Sequence, residues 1–440
     1  MNISTTQFIV NPGGKLHGTL RMPGDKSISH RAIMLGALAE GTTQVKGFLE
    51  GEDTLATLAA FRAMGVSIDR PTHGQVTIPG VGLHGLQVPS KPLYLGNSGT
   101  SMRLLSGLMA GQAFSVEMGG DASLSRRPMR RVTEPLTLMG ARIETTEQGT
   151  PPLKIHGGQR LQGINYTMPI ASAQLKSCLF LAGLYAEGTT CVTEPAPTRD
   201  HTERMLAGFG YTVKREGQRI CLQRGGKLQA MSIDVPADIS SAAFFMVGAS
   251  IAQGSDILLK HVGINPTRTG VINILRQMGA DIRLHNQRDV GGEPVADIRV
   301  CASPLHGIKI PQEQVPLAID EFPVIFIAAA CAEGKTVLTG AQELRVKESD
   351  RIQVMADGLQ AVGIEAEPTP EGMVIQGGQM HGGIINSHGD HRIAMAFTIA
   401  ALRAKETITI RDCANVATSF PNFVDLAQVA GIDINLKSQV

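Results

Sequence analysis

One short pattern recurs six times in this 440-residue chain, and it constrains the fold more than any single motif: a helical stretch, a small or apolar residue, a glycine, then a short strand. The copies read Ala63-Met64-Gly65-Val66-Ser67-Ile68, Leu138-Met139-Gly140-Ala141-Arg142-Ile143, Gly208-Phe209-Gly210-Tyr211-Thr212-Val213, Gln277-Met278-Gly279-Ala280-Asp281-Ile282, Ala361-Val362-Gly363-Ile364-Glu365-Ala366 and Val429-Ala430-Gly431-Ile432-Asp433-Ile434. Their central glycines are spaced by 75, 70, 69, 84 and 68 residues. Glycine just past a helix is the left-handed stop, because the missing Cβ removes the steric penalty on positive φ. A helix–Gly–strand unit is common in α/β proteins, which explains one or two copies but not six at this regularity. The repeat also accounts for much of a high glycine content, 50 of 440 residues, that has neither collagen nor linker periodicity.

A second element precedes each copy: a helix rich in small and apolar residues, followed by a Thr/Val-type strand. The spacing predicts these helices over 29–40, 101–110, 172–187, 240–253, 321–333 and 391–404, the first five closed by Gly41, Gly111, Gly188, Gly254 and Gly334. Helices apolar nearly all round belong in a core. Each unit therefore reads as strand, buried helix, strand, amphipathic helix, strand or strands, an α/β fold. Met22-Pro23-Gly24-Asp25-Lys26-Ser27 and Val235-Pro236-Ala237-Asp238-Ile239-Ser240 resemble each other, and each ends a strand and opens a buried helix. Domain crossings placed there give three repeats in 23–235 and three in 236–440, with 1–22 joined to the second domain. The final repeat ends early after Gly431, and the segment 18–22 is expected to complete that domain.

The net charge of +1 argues against a general nucleic-acid or membrane-surface binder. The first residues show neither a basic region nor an apolar core of a signal peptide, and the longest apolar run, 322–332, is far short of the ~20 residues of a membrane span. Six cysteines (Cys178, Cys191, Cys221, Cys301, Cys331, Cys413) show no metal-clip or redox spacing, so reduced thiols and a cytoplasmic location are expected.

Polar residues collect where the buried helices begin: Lys26, Ser27, Ser29 and Arg31 at the first; Asn97, Ser98, Gly99 and Thr100 at the second; Ser172 and Gln174 at the third. Asp320 and Glu321 open the fifth, and Asp390, His391 and Arg392 the sixth. Helix starts offer unpaired N–H donors and a partial positive charge, so several of them with Lys and Arg suit phosphate. Helix capping explains the hydroxyls and Asp, but not Lys26, Arg31 and Arg392. Two more basic segments, 125–131 with four arginines and 344–351 with Lys347, Glu348 and Arg351, read equally as ligand sites or as a solvated face and a surface ion-pair network.

Three motif matches fail on context. Gly80-Val81-Gly82-Leu83-His84-Gly85 fits a dinucleotide pattern, but Pro89 follows and no helix opens. Gly334-Lys335-Thr336 lacks the earlier P-loop glycine and leads into a strand. His388 and His391 lack a third ligand of zinc spacing. No cysteine lies in the polar helix starts, which argues against a thiol nucleophile.

At these residues the chain resembles the 5-enolpyruvylshikimate-3-phosphate synthase family along essentially its whole length. The carriers are Gly-Asp-Lys-Ser-Ile-Ser-His-Arg at 24–31, Gly-Asn-Ser-Gly-Thr at 96–100, Arg-Arg-Pro-Met at 126–129, Ser-Ala-Gln-Leu-Lys at 172–176, Ile-Asp-Glu-Phe-Pro at 319–323, Leu-Arg-Val-Lys-Glu-Ser-Asp-Arg at 344–351 and Asp-His-Arg-Ile-Ala-Met at 390–395. The resemblance implies a two-domain inside-out α/β barrel (a prism), each domain three βαβαββ repeats with helices inside, closing on substrate. It implies transfer of the enolpyruvyl group of phosphoenolpyruvate to the 5-hydroxyl of shikimate 3-phosphate, in a cytoplasmic monomer with no metal or organic cofactor and no nucleic-acid or membrane partner. Lys26, Gly99, Arg127, Gln174, Arg351 and Arg392 would then hold phosphoenolpyruvate. Lys26, Ser27, Arg31, Ser172, Gln174, Arg199, Asp320 and Lys347 would hold shikimate 3-phosphate. Asp320 would be the base for the hydroxyl, and Glu348, helped by Lys26 and Lys347, would handle the methyl proton.

Arg199-Asp-His201-Thr-Glu203 and Asn265-Pro-Thr-Arg268 resemble the class II subset, associated with glyphosate tolerance. Gly99 departs from it, since tolerant relatives tend to carry Ala there, and Thr418 stands where the class I branch has a lysine. Two alternatives remain open at this point. A UDP-N-acetylglucosamine enolpyruvyl transferase would usually carry a Cys within 119–128, and none is present. A non-catalytic anion-binding scaffold would not require Asp320 and Glu348 among its cations.

Overall fold

The computed structural model describes residues 5–439, and they fall into two units. One comprises Gly24–Val235 with the short stretch Val290–Glu293; the other comprises the described residues up to Pro23, Pro236–Asp289 and those from Pro294 on. Each unit has its own hydrophobic core.

The Gly24–Val235 unit carries helices α1 (Lys26–Leu38), α2 (Glu52–Ala63), α3 (Gly99–Ala110), α4 (Arg130–Leu138), α5 (Ala173–Gly183) and α6 (His201–Gly208). The other carries α7 (Ile239–Ile251), α8 (Gly270–Gln277), α9 (Phe322–Cys331), α10 (Arg351–Ala361), α11 (His391–Ala400) and α12 (Phe423–Ala430). The odd-numbered helices are the ones buried nearly all round; α7 is buried along its entire length, and α9 at all but its last residue. α3 ends at its predicted limit and the other five end two to four residues short; in α1, α7 and α9 this is because Ala39, Ala252 and Ala332 already turn to extended backbone ahead of the stop glycine.

All six central glycines adopt the left-handed conformation, with φ of 89°, 99°, 83°, 101°, 86° and 109° at Gly65, Gly140, Gly210, Gly279, Gly363 and Gly431. Of the five secondary stops, Gly41, Gly188, Gly254 and Gly334 do the same. Gly111 does not. Its φ is −89°, and it is glycine because a Cβ would fall 2.3 Å from the Tyr185 ring. Close packing selects glycine at Gly24 as well, where a Cβ would sit 1.8 Å from the Gly47 carbonyl oxygen.

Among the described residues, six small sheets accompany the helices, three per unit. In the repeats Leu93–Tyr94 with Val116–Gly119, Asn165–Thr167 with Thr189–Thr193, and Gly383–Asn386 with Ile408–Arg411, the strands flanking a buried helix pair in parallel, as a β–helix–β crossover requires. The crossings exchange strands: His17–Leu20 leads into α1 yet pairs with Asp256–Gly263 after α7, and Ser232–Asp234 leads into α7 yet pairs with Thr42–Lys46 after α1. His17–Leu20 thus joins the first sheet of the second unit, while the strand that completes the sheet of the last repeat is Thr5–Val10, which lies between Ile408–Arg411 and Ile434–Gln439.

The cysteine expectation also needs correction. Cys191 and Cys221 face each other across the antiparallel pair Thr189–Thr193 and Arg219–Gln223, with Cα atoms 4.1 Å apart, and form a disulfide. Strand register, rather than the 30-residue sequence separation, brings them together. The other four remain free thiols.

Candidate active site

Five of the six buried helices are capped by the residue before their first turn. Asp25, Ser98, Ser172, Asp238 and Asp390 accept hydrogen bonds from Ile28, Ser101, Leu175, Ser240 and Arg392 backbone N–H groups at 2.8–3.3 Å. Capping is thus part of what these polar residues do. A Ser172 hydroxyl that accepts from Leu175 still has its proton to donate.

In the Gly24–Val235 unit, the Lys26 ammonium pairs with Asp53. Arg31 is buried. Its guanidinium donates to the Ser27 carbonyl at 2.9 Å, the Thr202 hydroxyl at 2.6 Å and the Ser177 hydroxyl at 2.8 Å, and burial lowers its pKa to about 10. At the start of α5, Gln174 is clamped to α3: its carbonyl oxygen takes Arg103 at 2.6 Å and its amide donates to Thr100 at 3.0 Å. Of the four arginines in 125–131, Arg127 alone is buried. It donates to Asn97 at 2.6 Å and Ser123 at 3.3 Å, while Asn97 donates to Asp121 at 2.8 Å. Arg126 and Arg130 are exposed, so for them the solvated-face reading holds. A Cβ at Gly99 would lie 3.0 Å from Arg127 Nη1 and 3.3 Å from Arg103 Nη1. Lys26, Ser27, Gly99, Arg127, Ser172 and Gln174 all lie at or beside the starts of α1, α3 and α5. Arg199 stands half-buried in the loop before α6.

The other unit gathers acids around one fully buried cation. Arg351, at the start of α10, pairs with Asp390 at 2.8 Å and Glu348 at 2.6 Å, and its Nη1 lies 3.5 Å from Asp320. Burial alone would lower its pKa; Asp390, Glu348 and Asp320 reverse that and raise it. Lys347 lies 3.4 Å from the same Asp320 oxygen. Arg392 donates to the Asp320 backbone carbonyl at 2.9 Å. The segment 344–351 is therefore not only a surface network: Arg345 pairs outward with Asp350 at 2.6 Å, while Lys347 and Arg351 meet Asp320 and Asp390, ahead of α9 and α11, and Glu348 pairs with Arg351. Chemically this is a set of carboxylates able to exchange protons, held among three cations able to bind an anion.

Several partners carried no sequence signal. Asp53, Thr57 and Arg103 lie on ordinary helical turns. His30, within the first polar string, is fully buried; its Nδ1 meets the Thr57 hydroxyl at 2.8 Å, and Thr57 meets Ser101 at 2.6 Å. The class II-like residues are similarly engaged: His201 with Glu293 at 2.7 Å and Glu203 with Lys176 at 2.7 Å. Thr418 donates to the Asn415 carbonyl at 2.7 Å, a structural bond in place of a cation. Among the described residues, no group of three His, Cys, Asp or Glu converges as a metal site, and no helix is long and apolar enough to cross a membrane.

The family model described as EPSP synthase (3-phosphoshikimate 1-carboxyvinyltransferase) matches residues 10–426. The 3-phosphoshikimate 1-carboxyvinyltransferase of Methylococcus capsulatus is 71% identical over 429 residues, covering 98% of each chain. That of Nitrosococcus oceani is 71% identical over 430 residues, covering 98% of this chain and 97% of its own. The solved EPSP synthase of Acinetobacter baumannii aligns with a TM-score of 0.89 at 62% identity, over 98% of this chain and all of that one. An enolpyruvyl transferase, NikO from Streptomyces tendae, aligns with a TM-score of 0.81 at 15% identity and shares the fold alone.

Proposed function

The chain belongs to the EPSP synthase family, and from that premise we propose how its two groups of polar residues carry out the reaction. The activity is that of a 3-phosphoshikimate 1-carboxyvinyltransferase of the shikimate pathway, which moves the enolpyruvyl group of phosphoenolpyruvate to shikimate 3-phosphate. Lys26, Ser27, Arg31, Ser172, Gln174, Arg199, Asp320 and Lys347 hold shikimate 3-phosphate in this reading. Lys26, Gly99, Arg127, Gln174, Arg351 and Arg392 hold phosphoenolpyruvate. The unit beginning at Gly24 chiefly serves the first substrate, and the other supplies the catalytic acids.

The observation that carries the reading is the convergence of Asp320, Glu348 and Asp390 on Arg351, with Lys347 beside Asp320. The Asp320 carboxylate takes the proton of the substrate 5-hydroxyl as its oxygen bonds to C2 of the enol. Glu348, aided by Lys26 and Lys347, delivers a proton to the CH2 carbon, giving a tetrahedral adduct. Glu348 then removes a methyl proton, the C2–O bond to phosphate breaks, and the double bond returns. Every step is a proton transfer or a carbon–oxygen bond change, so the reading assigns no cofactor. The buried Nη1 of Arg351, which has no hydrogen-bond partner among the described residues, is a donor suited to an anion. We also read each unit as three βαβαββ repeats wrapped around their buried helices, an inside-out barrel, and the protein as a cytoplasmic monomer.

Steady-state kinetics of Asp320→Ala test the base assignment. Positioned proton transfer contributes about 10²–10⁴-fold, so turnover should fall by that factor while circular dichroism and melting stay those of the parent. Near-normal turnover in the folded variant would overturn it.

A further inference from the structure

The string Asn265-Pro-Thr-Arg268 is left unused by the reaction scheme, yet the fold builds it carefully. The Asn265 side-chain oxygen accepts from the Thr267 backbone N–H at 2.9 Å and the Thr267 hydroxyl at 2.7 Å, closing a turn that delivers Arg268 inward. Arg268 is 3% exposed. Its Nη2 donates to the Ser240 hydroxyl at 2.6 Å and to Asp238 at 3.3 Å, and lies 3.8 Å from Glu321. Ser240 in turn donates a short hydrogen bond to the same Glu321 oxygen, Oε1. Glu321 is 2% exposed, and that oxygen lies 3.7 Å from Arg392 Nη1. Its other oxygen is buried with no hydrogen-bond partner among the described residues. Glu321 directly precedes α9, the one buried helix with no side-chain cap, so its carboxylate is not committed to a helix end.

We propose that Arg268 and Glu321 are positioning residues that set the place of the Arg392 guanidinium for phosphoenolpyruvate. This rests on the reading above that Arg392 binds that substrate. A buried carboxylate requires cationic partners, and here two guanidiniums share one. Arg268 and Ser240 hold Glu321 from one side. Arg392 is held from the other by the Asp320 carbonyl at 2.9 Å and sits at ion-pair distance from Glu321 rather than in a bidentate clasp. Without Arg268, the Glu321 charge is left to Arg392 alone and draws it closer, at the expense of the substrate anion. The loss is therefore expected in the affinity for one substrate and not in the proton transfers.

The test compares Arg268→Met, Arg268→Lys, Glu321→Gln and Arg392→Gln in the full-length protein, varying each substrate at saturating levels of the other. Arg268→Met should raise KM for phosphoenolpyruvate by about tenfold, as expected for residues in one charge network, with kcat and KM for shikimate 3-phosphate nearly unchanged. Arg268→Lys, which keeps the charge but not the planar fork, should recover part of that loss. Combined with Arg392→Gln, Arg268→Met should add nothing. A rise in both KM values together, a fall in kcat with lowered melting temperature, or full additivity would overturn the inference. Glu321→Gln keeps the shape of the side chain and guards against a misfolded arginine variant; it too should change KM for phosphoenolpyruvate alone. If Arg392→Gln itself leaves KM for phosphoenolpyruvate unchanged, the reading of Arg392 fails. If it raises that KM while the Arg268 and Glu321 variants do not, only the positioning role fails.

Discussion

Position 99 shows how much a single methyl can decide. Glycine there opens α3, and a Cβ would meet the ends of Arg127 and Arg103 at 3.0 and 3.3 Å. Both are tips of flexible side chains, so Gly99→Ala is expected to fold. It would crowd the arginine assigned to phosphoenolpyruvate and any inhibitor that shares its place. We expect the parent to be inhibited by glyphosate, and the alanine variant to need about tenfold or more inhibitor for half inhibition, a difference of about 1.4 kcal/mol. Superimposable inhibition curves would show that Gly99 does not line the site. The identity of such residues was legible because the strings at 24–31, 96–100 and 344–351 are specific. Their partners were not. Nothing in the spacing of Asp53 or Arg103 marks them, since both lie on ordinary helical turns and meet Lys26 and Gln174 only through tertiary packing.

At the level of elements, the helix stops were readable because positive φ leaves a compositional trace in glycine, and all six central copies adopt it. Gly111 departs from the stop reading because close packing also selects glycine, there against the Tyr185 ring as at Gly24 against the Gly47 carbonyl, and leaves the same letter. The helix starts are tied together by buried polar side chains: His30 on α1 to Thr57 on α2, and Thr57 to Ser101 on α3. Burial, with Lys26 and Arg31 nearby, holds His30 well below the usual histidine range, and its Nε2 has no partner among the described residues. The native state thus resists a proton that the unfolded chain accepts near pH 6.5. Stability from this group is present above pH 6.5 and is lost as the pH falls below it, at up to about 1.4 kcal/mol per pH unit. Chemical denaturation at pH 5, 6 and 7.5 should therefore show a shallower acid loss for His30→Asn than for the parent. Equal slopes would mean that His30 is protonated in the native state.

For the molecule as a whole, the repeat foretold buried helices but not which strands would pair. The exchange at the crossings, His17–Leu20 with Asp256–Gly263 and Ser232–Asp234 with Thr42–Lys46, joins segments more than 180 residues apart, which local pattern cannot report. The same limit hid the central place of Thr5–Val10 in its sheet and the Cys191–Cys221 bond. Function was legible sooner than topology, because chemistry concentrates in short strings while register is spread over the chain. The most direct measurement is phosphate release from phosphoenolpyruvate by the purified protein, with shikimate 3-phosphate or UDP-N-acetylglucosamine as acceptor. Release is expected only with shikimate 3-phosphate, with the enolpyruvyl group recovered on its 5-hydroxyl. Release only with the nucleotide sugar, or with neither acceptor, would contradict it.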